Sequence, residues 1–206
     1  MGRIVCVANQ KGGVGKTTTA SNVAAGLAKA GMQTLLVDLD PQCNATTGLG
    51  GIPAETHPLV SEAALGENVV STAVTNLSLL PGSRSVRDVE RIAEQARAGS
   101  MVLSNHLSCG LNAWDYCLID CPPSLGELTR TALAGSTEVL MPIQCEYFAL
   151  EGLTQMIEVI RDVMADQPGR LSFSGIVLTM HDANLELTIE VEREVRDFFG
   201  EIVFDT

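Results

Sequence analysis

The chain has 206 residues, 46% of them hydrophobic and only 4% aromatic, and this length and composition are typical of one globular domain spanning residues 1–206. Its 13 basic and 25 acidic side chains give a formal net charge of −12, which excludes a protein held on nucleic acid by its overall charge. No apolar run reaches the roughly 18 residues of a membrane span and the six cysteines form no CxxC pair, so we expect a cytoplasmic protein without membrane attachment, disulfides or a zinc framework.

Apolar runs of strand length alternate along the chain with amphipathic stretches of helix length. This alternation predicts an α/β fold with a mostly parallel twisted sheet and helices on both faces. The predicted strands are residues 4–8, 34–38, 77–80, 116–120, 138–143, 174–178 and 201–204. The predicted helices are residues 17–30, 85–98, 150–165 and 188–199, and residues 48–61 are predicted to form a loop. Ligand chemistry is expected at the carboxyl ends of the parallel strands.

A glycine-rich segment joins the first predicted strand to the first predicted helix. It consists of Gln10, Lys11, Gly12, Gly13, Val14, Gly15, Lys16, Thr17 and Thr18. The order of strand, glycine-rich loop and helix is the context of a phosphate-binding loop, in which backbone N–H groups converge on phosphate oxygens. Lys16 is predicted to reach the β- and γ-phosphates, and Thr17 to give its hydroxyl to Mg²⁺. Gln10 replaces the first glycine of GxxxxGK[ST], and the loop has a second lysine, Lys11.

Aspartates stand at the ends of two predicted strands. Asp120 closes an apolar run, where a phosphate-loop protein keeps the carboxylate that holds Mg²⁺ through water. Asp38 and Asp40 are two residues apart, so we expect both side chains to project toward the mouth of the phosphate pocket. Hydrolysis needs a group that orients water in line with the γ-phosphate.

Together these motifs resemble those of the Soj/ParA chromosome- and plasmid-partitioning ATPases, in the deviant Walker A class of P-loop NTPases that also contains MinD and the nitrogenase iron protein. The resemblance spans residues 4 to about 180. It is carried by ANQKGGVGKTTTASN, LLVDLDPQCNATTGLG, YCLIDCPPSLGELT, MPIQCEYFALEGL and GIVLTM.

The resemblance implies a role for each matching residue. ATP is expected to bind to Lys11, Gly12, Gly13, Val14, Gly15, Lys16, Thr17 and Thr18. In an ATP-sandwich homodimer, Lys11 would cross to the partner's nucleotide, while Lys16 would act within its own chain. Asp40 would position the attacking water, and Thr17 and Asp120 would hold Mg²⁺, the latter through water. Glu146 and Tyr147 would lie near the dimer face.

The same resemblance implies a Mg²⁺-dependent ATPase whose ATP-bound dimer associates with the nucleoid by non-specific DNA binding. Hydrolysis, stimulated by a ParB-like centromere-binding protein, would reset this dimer. Three departures accompany the resemblance: Cys43 replaces a glycine, Asn184 stands where relatives often carry a nearby arginine, and the chain stops at Thr206, before the family's basic closing segment. We therefore expect a C-terminally incomplete domain whose DNA binding is weakened or lost.

Other functions were weighed against this one. A MinD-like membrane-associated division regulator needs a basic amphipathic C-terminal helix, whereas the segment EVEREVRDFFGEIVFDT is acidic. An iron–sulfur reductase needs cysteines at a dimer interface, and Cys117 is better explained as a buried apolar side chain. A nucleotide-gated interaction module with little turnover remains open.

Acidic neighbours predict a solvated, self-paired helix face for Arg84, Arg87 and Arg91.

Overall fold

The computed structural model describes residues 2–61, 64–88, 113–146 and 149–205. The strands within these ranges are β1 (Arg3–Val7), β2 (Thr34–Asp38), β3 (Val70–Ser71), β4 (Leu77–Leu80), β5 (Tyr116–Asp120), β6 (Glu138–Gln144) and β7 (Ser172–Thr179). They form one sheet in the order β3-β4-β2-β5-β1-β6-β7. Neighbouring strands are parallel except β3 and β4, which are antiparallel.

Helices connect most of these strands. The α-helices of the described residues are α1 (Lys16–Lys29), α2 (Asn44–Gly48), α3 (Pro58–Ser61), α4 (Glu127–Gly135), α5 (Ala149–Asp166) and α6 (Glu186–Phe199). Short 3₁₀ helices cover Leu65–Asn68, Arg84–Val86 and Gly200–Ile202. None of the described helices is both long and apolar enough to cross a membrane.

Two hydrophobic cores cover the two faces of the sheet. Because successive side chains of a strand point to opposite faces, Val5 and Val7 of β1 pack in one core and Ile4 and Cys6 in the other. The first core contains the alanines of α1, which recur every fourth residue at Ala20, Ala24 and Ala28. The second contains apolar residues of α4, α5 and α6. This arrangement confirms the predicted α/β fold with helices on both faces.

The register of the three central strands positions the candidate site. Strand β5 lies between β1 and β2, and Asp120 is paired with Val7 on one side and with Asp38 on the other. The three strands therefore end at the same level, directly below the glycine-rich loop that follows β1. Groups far apart in sequence meet at this edge, as expected for the carboxyl ends of a parallel sheet.

Some predicted elements differ from the structure. The predicted strand at 201–204 is wrong: Gly200–Ile202 is a 3₁₀ helix, and Val203 forms only an isolated parallel bridge with Ile176. The Arg196 guanidinium donates hydrogen bonds to the carbonyls of Val203 and Phe204, so these carbonyls are bonded to a side chain and not to a neighbouring strand. Helices α2, α3 and α4 and strand β3 were not predicted, and the predicted loop over residues 48–61 is wrong at its end, where Pro58–Ser61 forms α3 with Pro58 and Leu59 buried. Of the predicted helix 85–98, residues 89–98 lie outside the described residues.

Candidate phosphate-binding site

The loop between β1 and α1 has the backbone geometry of a phosphate-binding loop. Gly13 and Gly15 have φ angles of 79° and 86°, which glycine adopts without steric cost, and Gly15 is the N-cap residue of α1. The positive end of the α1 dipole therefore faces the loop. Thr179, at the end of β7, donates a hydrogen bond from its hydroxyl to the Val14 carbonyl at 2.9 Å. The loop is thus fixed to the sheet edge at β7 as well as at β1.

Asn9 provides a second attachment between the loop and the sheet. Its Nδ2 donates to the Pro142 carbonyl of β6 at 2.8 Å, and its Oδ1 accepts from the Lys11 N–H at 3.0 Å. Sequence reasoning assigned no role to Asn9 or Thr179. The signal that could have found them is their position, because each polar residue stands at or just beyond the carboxyl end of a strand.

Lys16 is the cation at the centre of the loop. Its side chain is buried, the residue being 6% exposed, and Nζ donates to the Lys11 carbonyl at 2.7 Å. Burial lowers the pKa of Lys16, while the negative charges of Asp120 and Asp40 act in the opposite direction. The Lys16 ammonium is thus held at the glycine-rich loop by one main-chain carbonyl, and its contact with phosphate stays a prediction.

Asp120 is fully buried and faces the same place. Neither carboxylate oxygen has a hydrogen bond of good geometry from the described residues, although the Thr17 hydroxyl is close enough to lower the pKa of the group. Burial, followed by the like charges of Asp38 and Asp40, raises the pKa of Asp120 to about 7. A buried carboxylate without donors is costly, so this group fits a ligand that brings donors, such as the water shell of a cation.

These groups fit a magnesium ion only in combination with a phosphate ligand. Within the described ranges, no group of three or more His, Cys, Asp or Glu side chains could hold a metal ion. The Thr17 hydroxyl and the oxygens of Asp120 would be the oxygen ligands on the protein side. Mg²⁺ commonly takes one or two protein ligands together with waters and phosphate oxygens, which matches this donor set.

Asp38 and Asp40 have different environments, against the expectation that both reach the pocket mouth. Both oxygens of Asp38 are engaged: Oδ2 accepts from the Thr46 N–H at 2.8 Å and the Thr46 hydroxyl at 2.6 Å, and Oδ1 from the Asp40 N–H at 3.2 Å. Among the described residues, Asp40 accepts a side-chain hydrogen bond only from the Gln42 N–H, through Oδ1 at 2.8 Å, which leaves Oδ2 available. Asp38 therefore has a structural role, holding α2 against the sheet.

Lys11 lies near Lys16 but points elsewhere. Its ammonium forms an ion pair with Glu146 of the same chain, and the two side chains are 40% and 31% exposed. The resemblance assigns Lys11 to a partner's nucleotide, so this ion pair must open before that contact can form. Tyr147, the other residue expected near a dimer face, lies outside the described residues.

Two of the three arginines predicted to form a self-paired face lie within the described part of the chain. Arg84 and Arg87 are exposed, and neither forms an ion pair or hydrogen bond through its side chain within the described part of the chain. Arg91 lies outside the described residues.

Comparison with known proteins identifies the family. Residues 2–173 match the AAA_31 family model, an AAA domain. The sporulation initiation inhibitor protein Soj of Bacillus subtilis is 42% identical over 211 residues, covering 100% of this chain and 83% of Soj. The chromosome-partitioning ATPase Soj of Treponema pallidum is 44% identical over 210 residues, covering 100% and 82%. The chain belongs to the Soj/ParA family of chromosome-partitioning ATPases.

Solved structures similar to this family member share its nucleotide-binding fold. Cobyrinic acid a,c-diamide synthase from Mycobacterium smegmatis with bound ADP and magnesium has a TM-score of 0.90 and 34% identity, covering 97% of this chain and 83% of that one. The ATP complex of Cyanothece McdA has a TM-score of 0.89 at 20% identity, covering 98% and 82%, and supports the fold alone.

Proposed function

We propose that the chain is a Mg²⁺-dependent ATPase domain that dimerises with ATP, binds DNA without sequence specificity and is reset by hydrolysis that a ParB-like partner stimulates. The observation that carries the proposal is the convergence of a buried lysine, Lys16, and an unpartnered buried carboxylate, Asp120, on one glycine-rich loop. Membership of the Soj/ParA family supports the same conclusion.

ATP would bind with its β- and γ-phosphates in the loop. The N–H groups of Gly12–Lys16 and the N-terminus of α1 would donate to phosphate oxygens, together with Thr17 and Thr18. Lys16 would exchange its present acceptor, the Lys11 carbonyl, for the phosphates, where its charge is worth more. Mg²⁺, held by Thr17 and through water by Asp120, would supply charge neutralisation on the phosphate oxygens.

Asp40 is the residue that we assign to the attacking water. It is buried beside Lys16 and Asp120, whose pKa values it influences, and its Oδ2 has no hydrogen-bond donor among the described residues. In the reaction, the water oxygen forms a bond to the γ-phosphorus, and the bond from phosphorus to the bridging oxygen breaks with its electron pair leaving on ADP. The products are ADP, inorganic phosphate and a proton. Lys16 stabilises the charge that develops on the phosphate oxygens.

Dimerisation would bring Lys11 to the partner's nucleotide, as the family resemblance implies. This movement requires the Lys11–Glu146 ion pair to open, which costs little because both side chains are partly exposed. With a net charge of −12, any contact with DNA must be local, so DNA binding by this chain is expected to be weak.

Single-turnover ATP hydrolysis tests the proposal. The wild-type chain with Mg²⁺ is expected to convert bound ATP to ADP and phosphate, and Asp40→Ala to bind ATP but lose at least about 100-fold in rate because the water is no longer positioned. Asp166→Ala, which removes an exposed aspartate at the end of α5, is the matched control and keeps the wild-type rate. Wild-type cleavage by Asp40→Ala would move the role to another residue.

Steady-state turnover separates this function from the nucleotide-gated interaction module. An ATPase of the proposed kind is expected to turn over faster when DNA and a ParB-like protein are added together. ATP binding without hydrolysis under every condition would favour the interaction module instead.

A further inference from the structure

A cavity of about 340 Å³, open to solvent, lies between the loops that follow β2 and β5. The first loop contributes Asp40 and Gln42, and the second contributes residues 122–124. Arg87, which follows the 3₁₀ helix Arg84–Val86, also lines the cavity. Its wall therefore consists of the two segments that flank the proposed hydrolysis site, plus one cation from elsewhere in the chain.

The cavity is adjacent to the phosphate loop. A Cβ added to Gly12 would lie 3.9 Å from the Cβ of Pro123, so the loop packs against the back of the wall that Pro123 forms. Asp40, the residue assigned to the attacking water, lines the cavity directly. A group that leaves the γ-phosphate position on the side of Asp40 therefore enters this space.

Arg87 gives the cavity a cationic group that no carboxylate among the described residues neutralises. Within the described part of the chain, Arg3, Arg130 and Arg196 each pair with a carboxylate. Arg87 is exposed and has neither an ion pair nor a hydrogen bond there. In a chain with a net charge of −12, a guanidinium left without a carboxylate is available for an external anion.

The remaining lining suits a small oxyanion. Gln42 and Ser124 add an amide and a hydroxyl as donors, while Pro41, Pro122 and Pro123 have no N–H group and form an apolar wall. A water occupies roughly 30 Å³ in the liquid, so the volume accommodates a phosphate with part of its hydration shell. Asp40 is the acidic residue of the lining. Its negative charge repels phosphate and lowers the affinity of the cavity, so that bound phosphate can dissociate.

We propose that this cavity is an exit site for inorganic phosphate, which Arg87 holds after it is cleaved from ATP. The inference rests on the proposed ATPase function, because hydrolysis supplies the phosphate. A guanidinium can donate two parallel hydrogen bonds to a phosphate, and Arg87 lines the same cavity as Asp40, the residue assigned to the attacking water. Phosphates of a DNA backbone offer the same chemistry, and the experiment distinguishes the two sources.

The first test measures phosphate binding without turnover. The Mg²⁺–ADP complex of the chain is titrated with inorganic phosphate, and its melting temperature is recorded. The wild type is expected to be stabilised at millimolar phosphate, with an apparent affinity that falls about tenfold in Arg87→Ala. Arg87→Lys, which keeps the charge but loses the bidentate geometry, is expected to lie between them.

Arg84→Ala is the matched control, because Arg84 is a neighbouring, exposed and unpaired arginine that does not line the cavity. It is expected to keep the wild-type phosphate affinity within about twofold. An equal loss in both alanine variants would show general surface electrostatics and overturn the proposal, as would wild-type phosphate binding in Arg87→Ala. Melting temperatures without phosphate identify any variant that is misfolded. If Arg87→Ala is misfolded, the phosphate affinity of Arg87→Lys relative to the wild type decides whether Arg87 binds phosphate.

A second test uses activity and DNA. Phosphate is expected to inhibit ATP hydrolysis with an inhibition constant about tenfold higher in Arg87→Ala than in Arg84→Ala. Loss of duplex DNA binding in Arg87→Ala with unchanged phosphate inhibition would place DNA on this surface and overturn the exit site. Phosphate binding by a wild type that does not hydrolyse ATP would refute the ATPase function and leave the oxyanion site. ATP hydrolysis by a wild type that shows no response to added phosphate would overturn the exit site and leave the ATPase function.

Discussion

Replacement of Asp120 by asparagine is expected to stabilise the nucleotide-free protein while it weakens Mg²⁺–ATP binding. Asp120 is fully buried, only the Thr17 hydroxyl approaches its oxygens among the described residues, and its pKa is raised from 3.8 to about 7. An acid whose pKa is higher in the folded state resists ionisation there. The folded protein therefore loses stability as the pH rises from 3.8 toward 7, and above that range the penalty stays constant.

The size of the effect follows from the two pKa values of Asp120. Each pKa unit corresponds to about 1.4 kcal/mol, so the penalty for the charged carboxylate is about 2 kcal/mol near pH 5.5 and about 4 kcal/mol near pH 8. Asparagine is neutral throughout and has nearly the same shape. The advantage of Asp120→Asn over the wild type is therefore expected to grow by about 2 kcal/mol between these pH values.

Denaturant unfolding at the two pH values, without nucleotide or Mg²⁺, measures this difference. A gain of that size also appears as a melting temperature gap that widens by roughly 4–8 °C. Asp166→Asn removes an exposed charge from the end of α5 and reports the effect of net charge alone. A stability difference that does not change with pH, or an Asp120→Asn variant less stable than the wild type near pH 8, would refute the reasoning.

Three further outcomes follow from the structure. Lys16→Ala is expected to abolish ATP binding, because it removes the buried cation from the phosphate loop, and calorimetry that still shows micromolar affinity would contradict that role. Gly82→Ala is expected to cost about 1–3 kcal/mol of stability because a Cβ there would lie 2.8 Å from Cγ of the buried Asp38. Gly66→Ala, which has open space around its Cβ, is the control in the same unfolding assay. Duplex DNA binding with a non-hydrolysable ATP analogue is expected to be weak, and tight binding with a steep salt dependence in a titration at two salt concentrations would disprove this expectation.

Local signals in the sequence were sufficient for the phosphate loop and the central strands. Strands β2, β4 and β5 have the predicted bounds because they are short, nearly continuous apolar runs; β2 and β5 end in an aspartate, and Pro81 follows β4. The loop was recognisable because its function depends on backbone N–H groups and on glycines and a lysine at short spacing. Such features are encoded by neighbouring residues and need no knowledge of the rest of the fold.

Helix α4 shows where local signals fail. Its nine residues, Glu127–Gly135, include the buried threonines Thr129 and Thr131 and a terminal glycine, all of which have low helix propensity. Tertiary packing of Leu128, Ala132 and Leu133 in the core stabilises a helix that its own residues do not strongly favour.

Tertiary structure decided which hydrogen bonds and ion pairs the acidic residues form. Strand periodicity predicts the same direction for Asp38 and Asp40, and the resemblance alone assigned the water to Asp40; the hydrogen bonds from Thr46, eight residues beyond Asp38, show that Asp38 has a structural role. The Lys11–Glu146 ion pair joins residues far apart in the chain. The cavity containing Arg87 likewise requires three separate segments. The sequence by itself predicted phosphate chemistry for the loop, because the residues that would perform it are neighbours in the chain. Which side chains are satisfied, unpartnered or available was decided only by the fold, because each depends on groups that distant segments bring into contact.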